Sequence, residues 1–301
     1  MQVAQSGIFA LGTGSHSYLE FDLHGDPLTL VQVIANLGEP RMTTGGVNLV
    51  VGFRPSLWAR VAPEDMPAGV TDFEQDVRGV DGYTMPATQH DLWLWVAGHA
   101  YHKVFDVTRE AIATLAPVAR LAAEVAGWTY KESRDLTGFI DGTENPRLSE
   151  APEVALIPDG SPGAGGSVLL VQQWLHDAAA FEALSIEEQE KVIGRTKDTS
   201  TELAEEVRGP QSHVSRTVIE EHGVEQHIFR RNTPFGTATE HGTMFIGFSS
   251  DQQRLARMLA RMAGAEDGIR DALTRYTTVI SGAYYFVPSV EALRRFASAG
   301  D

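Results

Sequence analysis

The chain has 301 residues, of which 43% are hydrophobic and 21% charged, enough for one large domain or two smaller ones with real cores. Its formal net charge of −16 disfavours binding to nucleic acid, because an acidic surface repels phosphate. The absence of cysteine excludes disulfides, iron–sulfur clusters, thiolate nucleophiles and the Cys-x-x-Cys-His attachment of c-type haem.

The sequence contains no signal for a membrane or for export. No run approaches about 18 apolar residues, so no membrane span is predicted. The first basic residue is Arg41, which excludes a charged n-region and a twin-arginine signal at the start of this sequence. We therefore expect a soluble, cytoplasmic protein.

Strand-like and helix-like segments alternate in the first half of the chain. Apolar runs and alternation predict strands at residues 16–23, 47–53 and 91–99. Apolar residues repeating at helical spacing predict helices at residues 28–38 and 104–127. Trp93 and Trp95 share one face of the third strand, which predicts that they pack in the core.

The second half repeats this order. Strands are predicted at residues 166–175, 226–232, 242–249 and 283–288, and helices at residues 181–194, 202–208 and 250–264. Within the first of these helices, Ser185 and Glu188 have the spacing of a capping box.

Two halves with the same order of elements indicate a duplicated α+β unit with antiparallel sheets. The segment that joins them is rich in proline and glycine, as in a linker. We predict an N-terminal half at residues 1–144, a linker at residues 145–165 and a C-terminal half at residues 166–301.

The stretch GFIDGTENP, residues 138–146, places a carboxylate where the chain enters apolar packing. A plain turn explains the glycines and the Asn-Pro pair. It does not explain Asp141 directly after Phe139 and Ile140. The role of this acid depends on which other residues share its surroundings.

Two later segments offer partners for Asp141. His213 lies in GPQSHVSRT after a Gly-Pro pair, where an ordinary surface or capping histidine is the simplest interpretation. In a strand at residues 226–232, Arg230 and Asn232 share a face, which suits a buried polar ligand. The alternative is an edge strand with Arg230 and Arg231 both solvated, and the pattern leaves both interpretations open.

Together, GFIDGTENP, SHVSRT, FRRNTPFG and EHGTMFIGFS resemble the dye-decolorizing peroxidases, the DyP-type haem peroxidases, and most closely their compact cytoplasmic bacterial branch. The resemblance covers essentially the whole chain. It implies an α+β fold of duplicated ferredoxin-like halves. It also implies a haem-dependent peroxidase that reduces hydrogen peroxide and oxidises organic donors, such as dyes, phenolics and porphyrinogens, in one-electron steps.

The resemblance also assigns roles around haem b. His213 would be the proximal ligand to the iron, with Asp141 and Arg230 on the distal face and Asn232 beside them. The other residues that it places near the haem are Gly142, Thr143 and Glu144 along the edge, Arg195 and His241 at the propionates, and Asp271 behind His213.

Physical chemistry agrees with these roles. A carboxylate bonded to the second nitrogen of His213 would make the imidazole more electron-donating. Asp141 could take a proton from one peroxide oxygen and return it to the other, and the Arg230 guanidinium would favour its ionised form. Arg230 would also stabilise negative charge on the departing oxygen.

Two other functions would use the same residues. The first is a haem-handling protein for storage, transfer or iron release, with incidental peroxidase activity. The second is a haem-free α+β assembly module in which Asp141 and Arg230 form a structural ion pair. The resemblance further implies a homo-oligomer, dimeric or larger, with hydrogen peroxide and small organic electron donors as partners.

Overall fold

The structure is a computed structural model and describes residues 2–37, 46–131 and 133–297. The elements of the first half are β1 (Ser15–Leu23), α1 (Pro27–Leu37), β2 (Val47–Phe53), α2 (Pro55–Val61), β3 (Val77–Arg78), β4 (Thr84–Met85), β5 (Leu92–Gly98), α3 (Tyr101–Leu115) and β6 (Ala119–Trp128). Short 3₁₀ turns lie at Ser6–Ile8, Pro63–Asp65 and Val80–Gly82.

The second half is richer in short helices. Its elements are α4 (Ala151–Ala155), β7 (Ser167–His176), α5 (Ala178–Glu182), α6 (Ile186–Ile193), α7 (Glu205–Arg208), α8 (His213–Thr217), β8 (Glu220–Glu221), β9 (Val224–Glu225), β10 (Phe229–Arg230), β11 (Thr233–Gly236), β12 (His241–Ser249), α9 (Gln252–Ala263), β13 (Thr277–Val279), β14 (Ala283–Val287) and α10 (Val290–Arg294). A 3₁₀ turn at Ala272–Arg275 precedes β13.

Each half is a ferredoxin-like unit. The first sheet has the order β6-β1-β5-β2, with α1 and α3 as the crossing helices, and all its pairings are antiparallel. The second has the order β11-β12-β7-β14, with α9 as its second crossing helix. The predicted α+β fold of duplicated ferredoxin-like halves is confirmed.

The two sheets meet along their edges and enclose a common core. Phe286 of β14 pairs with Phe53 of β2, and Phe235 of β11 pairs with Gly127 of β6. Between the sheets lie the large aromatic side chains Tyr18, Trp93, Trp95, Phe248 and Tyr285. The prediction that Trp93 and Trp95 pack in the core from one face of their strand is confirmed.

Helices cover the outer faces of both sheets. In α9, Leu255, Met258, Leu259 and Met262 repeat at helical spacing and are buried, so this helix turns one apolar stripe toward the second sheet. The space between α9, neighbouring short helices and the outer face of β7 and β12 holds the site described below.

The predicted helix at residues 104–127 is wrong in its second half. The helix α3 ends at Leu115, and the following residues form β6, which pairs with β1 along its whole length. Pro117 cannot continue a helix, because it lacks an N–H and its ring clashes with the preceding turn. The alanines of β6 favour helix, but pairing with β1 outweighs that propensity.

Other predicted elements differ in length. The predicted strand at residues 226–232 is limited to β10, the predicted helix at residues 202–208 is only α7, and residues 181–194 form α5 and α6. The predicted capping box of Ser185 and Glu188 is present at the start of α6. The remaining predicted boundaries agree to within three residues, except the predicted helix end at Gly38, which lies outside the described residues.

The predicted linker contains the short helix α4, whose Ala151 and Ala155 are fully buried in the common core. The division into residues 1–144, 145–165 and 166–301 remains a prediction. Within the described part of the chain, none of the helices combines the length and apolar composition of a membrane span.

Candidate active site

A large cavity lies against the outer face of β7 and β12, between these strands and α6, α8 and α9. Its empty volume, including the part open to solvent, is about 1090 Å³. Apolar side chains form much of its wall: Ile193, Val214, Phe245, Met258, Met262 and Leu273. The predicted site residues that line it are Asp141, Gly142, Thr143, Glu144, Arg195, His213, Arg230 and Asn232.

His213 is the first residue of α8, after the N-cap Ser212. Its Nδ1 lies 2.7 Å from Oδ2 of Asp271, a fully buried carboxylate whose Oδ1 accepts the N–H of Leu273. A carboxylate only accepts hydrogen bonds, so Nδ1 carries the proton and Nε2 carries the free lone pair. This tautomer suits a histidine that binds a metal ion through Nε2.

Asp141 is fixed by its own loop and by the strand segment that carries Arg230. Its Oδ1 accepts the N–H of Gly142 at 2.7 Å and lies 3.4 Å from the Asn232 amide nitrogen. Gly142 has φ +76°, a left-handed conformation that favours glycine, so the turn after the carboxylate depends on this residue. Asn232 in turn accepts the N–H of Ile246 in β12.

Asn145, from the same motif, joins the Asp141 loop to Arg230. Its side-chain amide donates to the Arg230 carbonyl and accepts the Arg230 N–H, each at 2.8 Å. One side chain therefore satisfies both backbone groups of Arg230. The Asn-Pro pair does more than end a turn, because it brings Asp141 and Arg230 to the same cavity.

The side chains around Arg230 alternate as the strand pattern predicted. Arg231 points away from the cavity, donates to the carbonyls of Ile8 and Ala10 at 2.7 Å, and lies over the Trp95 ring at 4.9 Å. The alternative of an edge strand with two solvated arginines is therefore wrong. Arg230 and Asn232 reach the cavity, and Arg231 ties the strand to the common core.

The electrostatics of Asp141 differ from the simple prediction. Burial raises the pKa of Asp141, the Arg230 charge lowers it, and the nearby Asp135 raises it again. The net direction is upward. Arg230 does favour the ionised carboxylate, as predicted, but burial outweighs it because the charged form loses solvation.

Comparison with known proteins gives the family. The Dyp-type peroxidase N-terminal model matches residues 36–129, and the C-terminal model matches residues 132–292. The chain belongs to the Dyp-type peroxidase family. It is accordingly a peroxidase, an oxidoreductase, as its resemblance implied.

Curated relatives and solved structures agree. The dye-decolorizing peroxidase of Rhodococcus erythropolis PR4 is 36% identical over 258 residues, which are 84% of this chain and 75% of the relative. That of Brevibacterium linens is 35% identical over 252 residues, 82% of this chain and 68% of the relative. A variant of Rhodococcus jostii RHA1 DypB in complex with heme superposes with a TM-score of 0.91 at 33% identity, covering 98% of this chain and 100% of that one.

Two other predicted residues of this Dyp-type peroxidase have different settings. Arg195 lines the cavity, forms an ion pair with Glu144, and lies 3.1 Å from a carboxylate oxygen of Glu202. His241 begins β12, with its Nδ1 near the Thr237 carbonyl, and is not among the residues that line the cavity. Its predicted propionate contact therefore gains no support from position.

Sequence reasoning missed several polar residues of the cavity wall, among them Asp135, His176 and Thr243. Asp135 could have been found, because it stands in RDLTGFIDG just before the motif. His176 and Thr243 meet only because β7 pairs with β12. No sequence pattern in either strand indicates that pairing.

Proposed function

We propose that this Dyp-type peroxidase holds haem b non-covalently in the large cavity, with Nε2 of His213 as the ligand to iron. The observation that carries the proposal is that His213 and the Asp141–Arg230–Asn232 group reach one cavity from separate segments. The apolar wall suits a porphyrin, and the Asp271 carboxylate fixes the required tautomer of His213. The heme complex of the DypB relative supports the same cofactor.

When bound, haem supplies the iron-centred redox chemistry that delivers two electrons to hydrogen peroxide and takes them singly from organic donors. Asp141 takes the proton of one peroxide oxygen and returns it to the departing oxygen. The Arg230 guanidinium stabilises negative charge on that departing oxygen. Asn232 and the Gly142 N–H hold Oδ1 of Asp141 in place during both transfers.

The edge of the cavity can hold the carboxylates of the porphyrin. Arg195 offers a guanidinium that suits a propionate, in exchange for its contact with Glu144. Gly142, Thr143 and Glu144 line the cavity beside it. Propionate contacts by Arg195 and by His241 remain predictions.

We further propose hydrogen peroxide and small organic donors as substrates, which the family name of the curated relatives supports. Dyes, phenolics and porphyrinogens are the donor classes that the resemblance implies. The net charge of −16 supports the prediction that nucleic acid is not a partner. A homo-oligomer and a cytoplasmic location remain predictions.

The rival functions are less well supported. Family models and curated relatives that carry the name peroxidase favour an enzyme over a haem-handling protein. A haem-free module requires a structural ion pair between Asp141 and Arg230. Among the described residues, these two side chains make no ion-pair contact, although they interact electrostatically.

Variants of Asp141 and Arg230 test the proposal. Asp141→Asn and Arg230→Leu should take up haem as the wild type does, while kcat/KM for peroxide falls by about 10²–10⁴-fold. Arg60→Leu, a charge change on the exposed face of α2, is the control and should keep wild-type kinetics. Wild-type rates in both site variants, with full haem uptake, would favour the haem-handling protein.

A further inference from the structure

A second carboxylate, Asp135, lies beside Asp141 on the boundary between two cavities. Next to the large cavity is another, with an empty volume of about 820 Å³ including its open part. Both cavities are lined by Asp135, Asp141, Gly142, Arg230, Asn232 and Thr243. The two carboxylates therefore belong to the same dividing wall.

The Asp135 carboxylate accepts hydrogen bonds from two neighbouring groups. Its Oδ1 accepts the N–H of Thr137 at 2.8 Å, and its Oδ2 accepts the Thr243 hydroxyl. The Thr243 oxygen lies 3.1 Å from Nε2 of His176. Because Thr243 gives its only proton to the carboxylate, it accepts the Nε2–H of His176. This chain of donors stabilises negative charge on Asp135.

Asp141 has a weaker set of donors, the Gly142 N–H and a longer contact to Asn232. Burial raises the pKa of Asp135, but the His176 charge and the hydrogen bonds from Thr243 and Thr137 outweigh burial and lower it. Burial raises the pKa of Asp141, and the Asp135 charge raises it further. The Arg230 charge lowers it but does not outweigh them. The surroundings separate the two acids into a fixed anion and a proton carrier.

Other charged or titratable groups line the two cavities and contribute to the electrostatic field at Asp135 and Asp141. In the large cavity these are Glu144, His176, Arg195, His213 and Arg230. In the second cavity they are His16, Tyr130, Arg134, Arg230 and Arg231. Burial lowers the pKa of His176, and its Nε2–H reaches Asp135 through the Thr243 hydroxyl, which accepts from His176 and donates to the carboxylate.

We propose that Asp135 is a positioning residue for peroxide cleavage: a fixed negative charge that makes Asp141 hold a proton tightly enough to carry it between the two peroxide oxygens. Asp135 does not itself exchange the proton. Its effect passes through Asp141, because a neighbouring anion disfavours the ionised form of a second carboxylate. Thr243 and His176 keep Asp135 in its anionic form.

The direct test is carboxyl ¹³C NMR on the full-length chain labelled at aspartate and loaded with zinc protoporphyrin IX, which is diamagnetic. The Asp141 resonance is assigned by its loss in Asp141→Asn. In Asp135→Asn, the titration midpoint of Asp141 should move to lower pH. Asp159→Asn removes the same charge from an exposed site and should leave the Asp141 midpoint unchanged. Asp135→Glu keeps the negative charge, so its Asp141 midpoint should match the wild type.

Kinetics provide a second readout. The acid limb of kcat/KM for peroxide should move to lower pH in Asp135→Asn and stay in place in Asp159→Asn. A purely structural role would lower activity without moving the limb. An unchanged Asp141 midpoint in Asp135→Asn would overturn the proposal.

Thr243→Val keeps the proposal testable if Asp135→Asn does not fold. This variant removes the hydroxyl that donates to Asp135, so the Asp135 midpoint should rise. Because the two acids titrate as a coupled pair, the two midpoints should move closer together. A Thr243→Val protein with both midpoints at wild-type values would also overturn the proposal.

Discussion

Asp141 shows how a single motif can place and tune one carboxylate. The left-handed Gly142 turns its N–H back onto Oδ1, and Asn145 binds both backbone groups of Arg230. The loop therefore carries its acid and also fixes the arginine that opposes it. Burial then raises the pKa of Asp141, which suits a group that must both take and return a proton.

The balance at Asp141 makes a prediction about pH. Arg230 lowers the pKa of Asp141, so Arg230→Leu should raise that pKa further. In the proposed mechanism Asp141 must be ionised to take the peroxide proton, so the acid limb of the residual kcat/KM should move to higher pH. The measurement is the pH profile of kcat/KM for peroxide, and a limb that moves to lower pH would contradict it.

At this scale the sequence predicted the residues of the motif better than their surroundings. The pairing of His213 with Asp271 was anticipated from the resemblance, and the hydrogen bond between them is present. The pKa direction of Asp141 was not anticipated, because burial depends on side chains from several segments. Thr243 and His176 reach Asp135 only through the register of β7 and β12.

The helix α8 carries His213 but has only five residues, too few to be stable alone. Arg216 anchors it. The Arg216 guanidinium is buried, donates to the Arg261 carbonyl in α9 at 2.9 and 3.0 Å, and meets the Asp267 carboxylate through two contacts of 2.8 Å. Arg261 donates back to the Ser215 carbonyl at 2.8 Å. These bonds set where His213 stands.

Removing this anchor should affect stability and cofactor binding together. Arg216→Leu should lower the free energy of unfolding by about 2–3 kcal/mol, because the hydrogen bonds of a buried charged group to the Arg261 carbonyl and the Asp267 carboxylate are lost. It should also weaken haem uptake by displacing His213. Urea unfolding and haemin titration measure the two effects.

The control is Arg257→Leu in α9, the helix to which Arg216 binds; the Arg257 side chain is partly exposed and paired to Glu266. Its unfolding free energy should stay within about 0.5 kcal/mol of the wild type. An Arg216→Leu protein as stable as this control would show that α8 is held by other contacts.

Element type was predictable where apolar periodicity matched local propensity, as in β2, β5 and α9. It failed at β6, whose alanines favour helix but whose backbone pairs with β1. Pro117 marked the boundary and should have ended the predicted helix. The short α8 and β10 could not be predicted from apolar periodicity, because fewer than six residues do not show a repeat.

At the scale of the whole molecule, the two halves depend on one another through the core between their sheets. Glu20 of β1 is buried there and accepts the Tyr285 hydroxyl of β14 at 2.6 Å. Burial raises the pKa of Glu20, and the Tyr285 bond only partly offsets this. The duplicated fold was predictable from the repeated order of elements, but this contact between the halves was not.

Glu20 makes the free energy of unfolding depend on pH. A carboxyl whose pKa is raised by folding holds its proton more tightly in the folded state, so stability falls as pH rises above the unfolded pKa of about 4.3. Glu20→Gln keeps an acceptor for Tyr285 and removes this loss. The gain in unfolding free energy over wild type should therefore be larger at pH 7 than at pH 4.

Denaturant unfolding at the two pH values checks this, with Glu124→Gln on the exposed side of β6 as the control. The control should show little difference between the two pH values. A Glu20→Gln gain that is equal at both pH values, or larger at pH 4, would contradict the buried, proton-holding state of Glu20.

The central claim is that His213 binds haem iron in the large cavity. The most direct measurement is the absorption spectrum of the protein titrated with haemin, for wild type, His213→Ala and the exposed control His99→Ala. We expect a Soret band in wild type and His99→Ala that is lost or shifted in His213→Ala. Absence of haemin uptake by wild type, or an unchanged spectrum in His213→Ala, would contradict it.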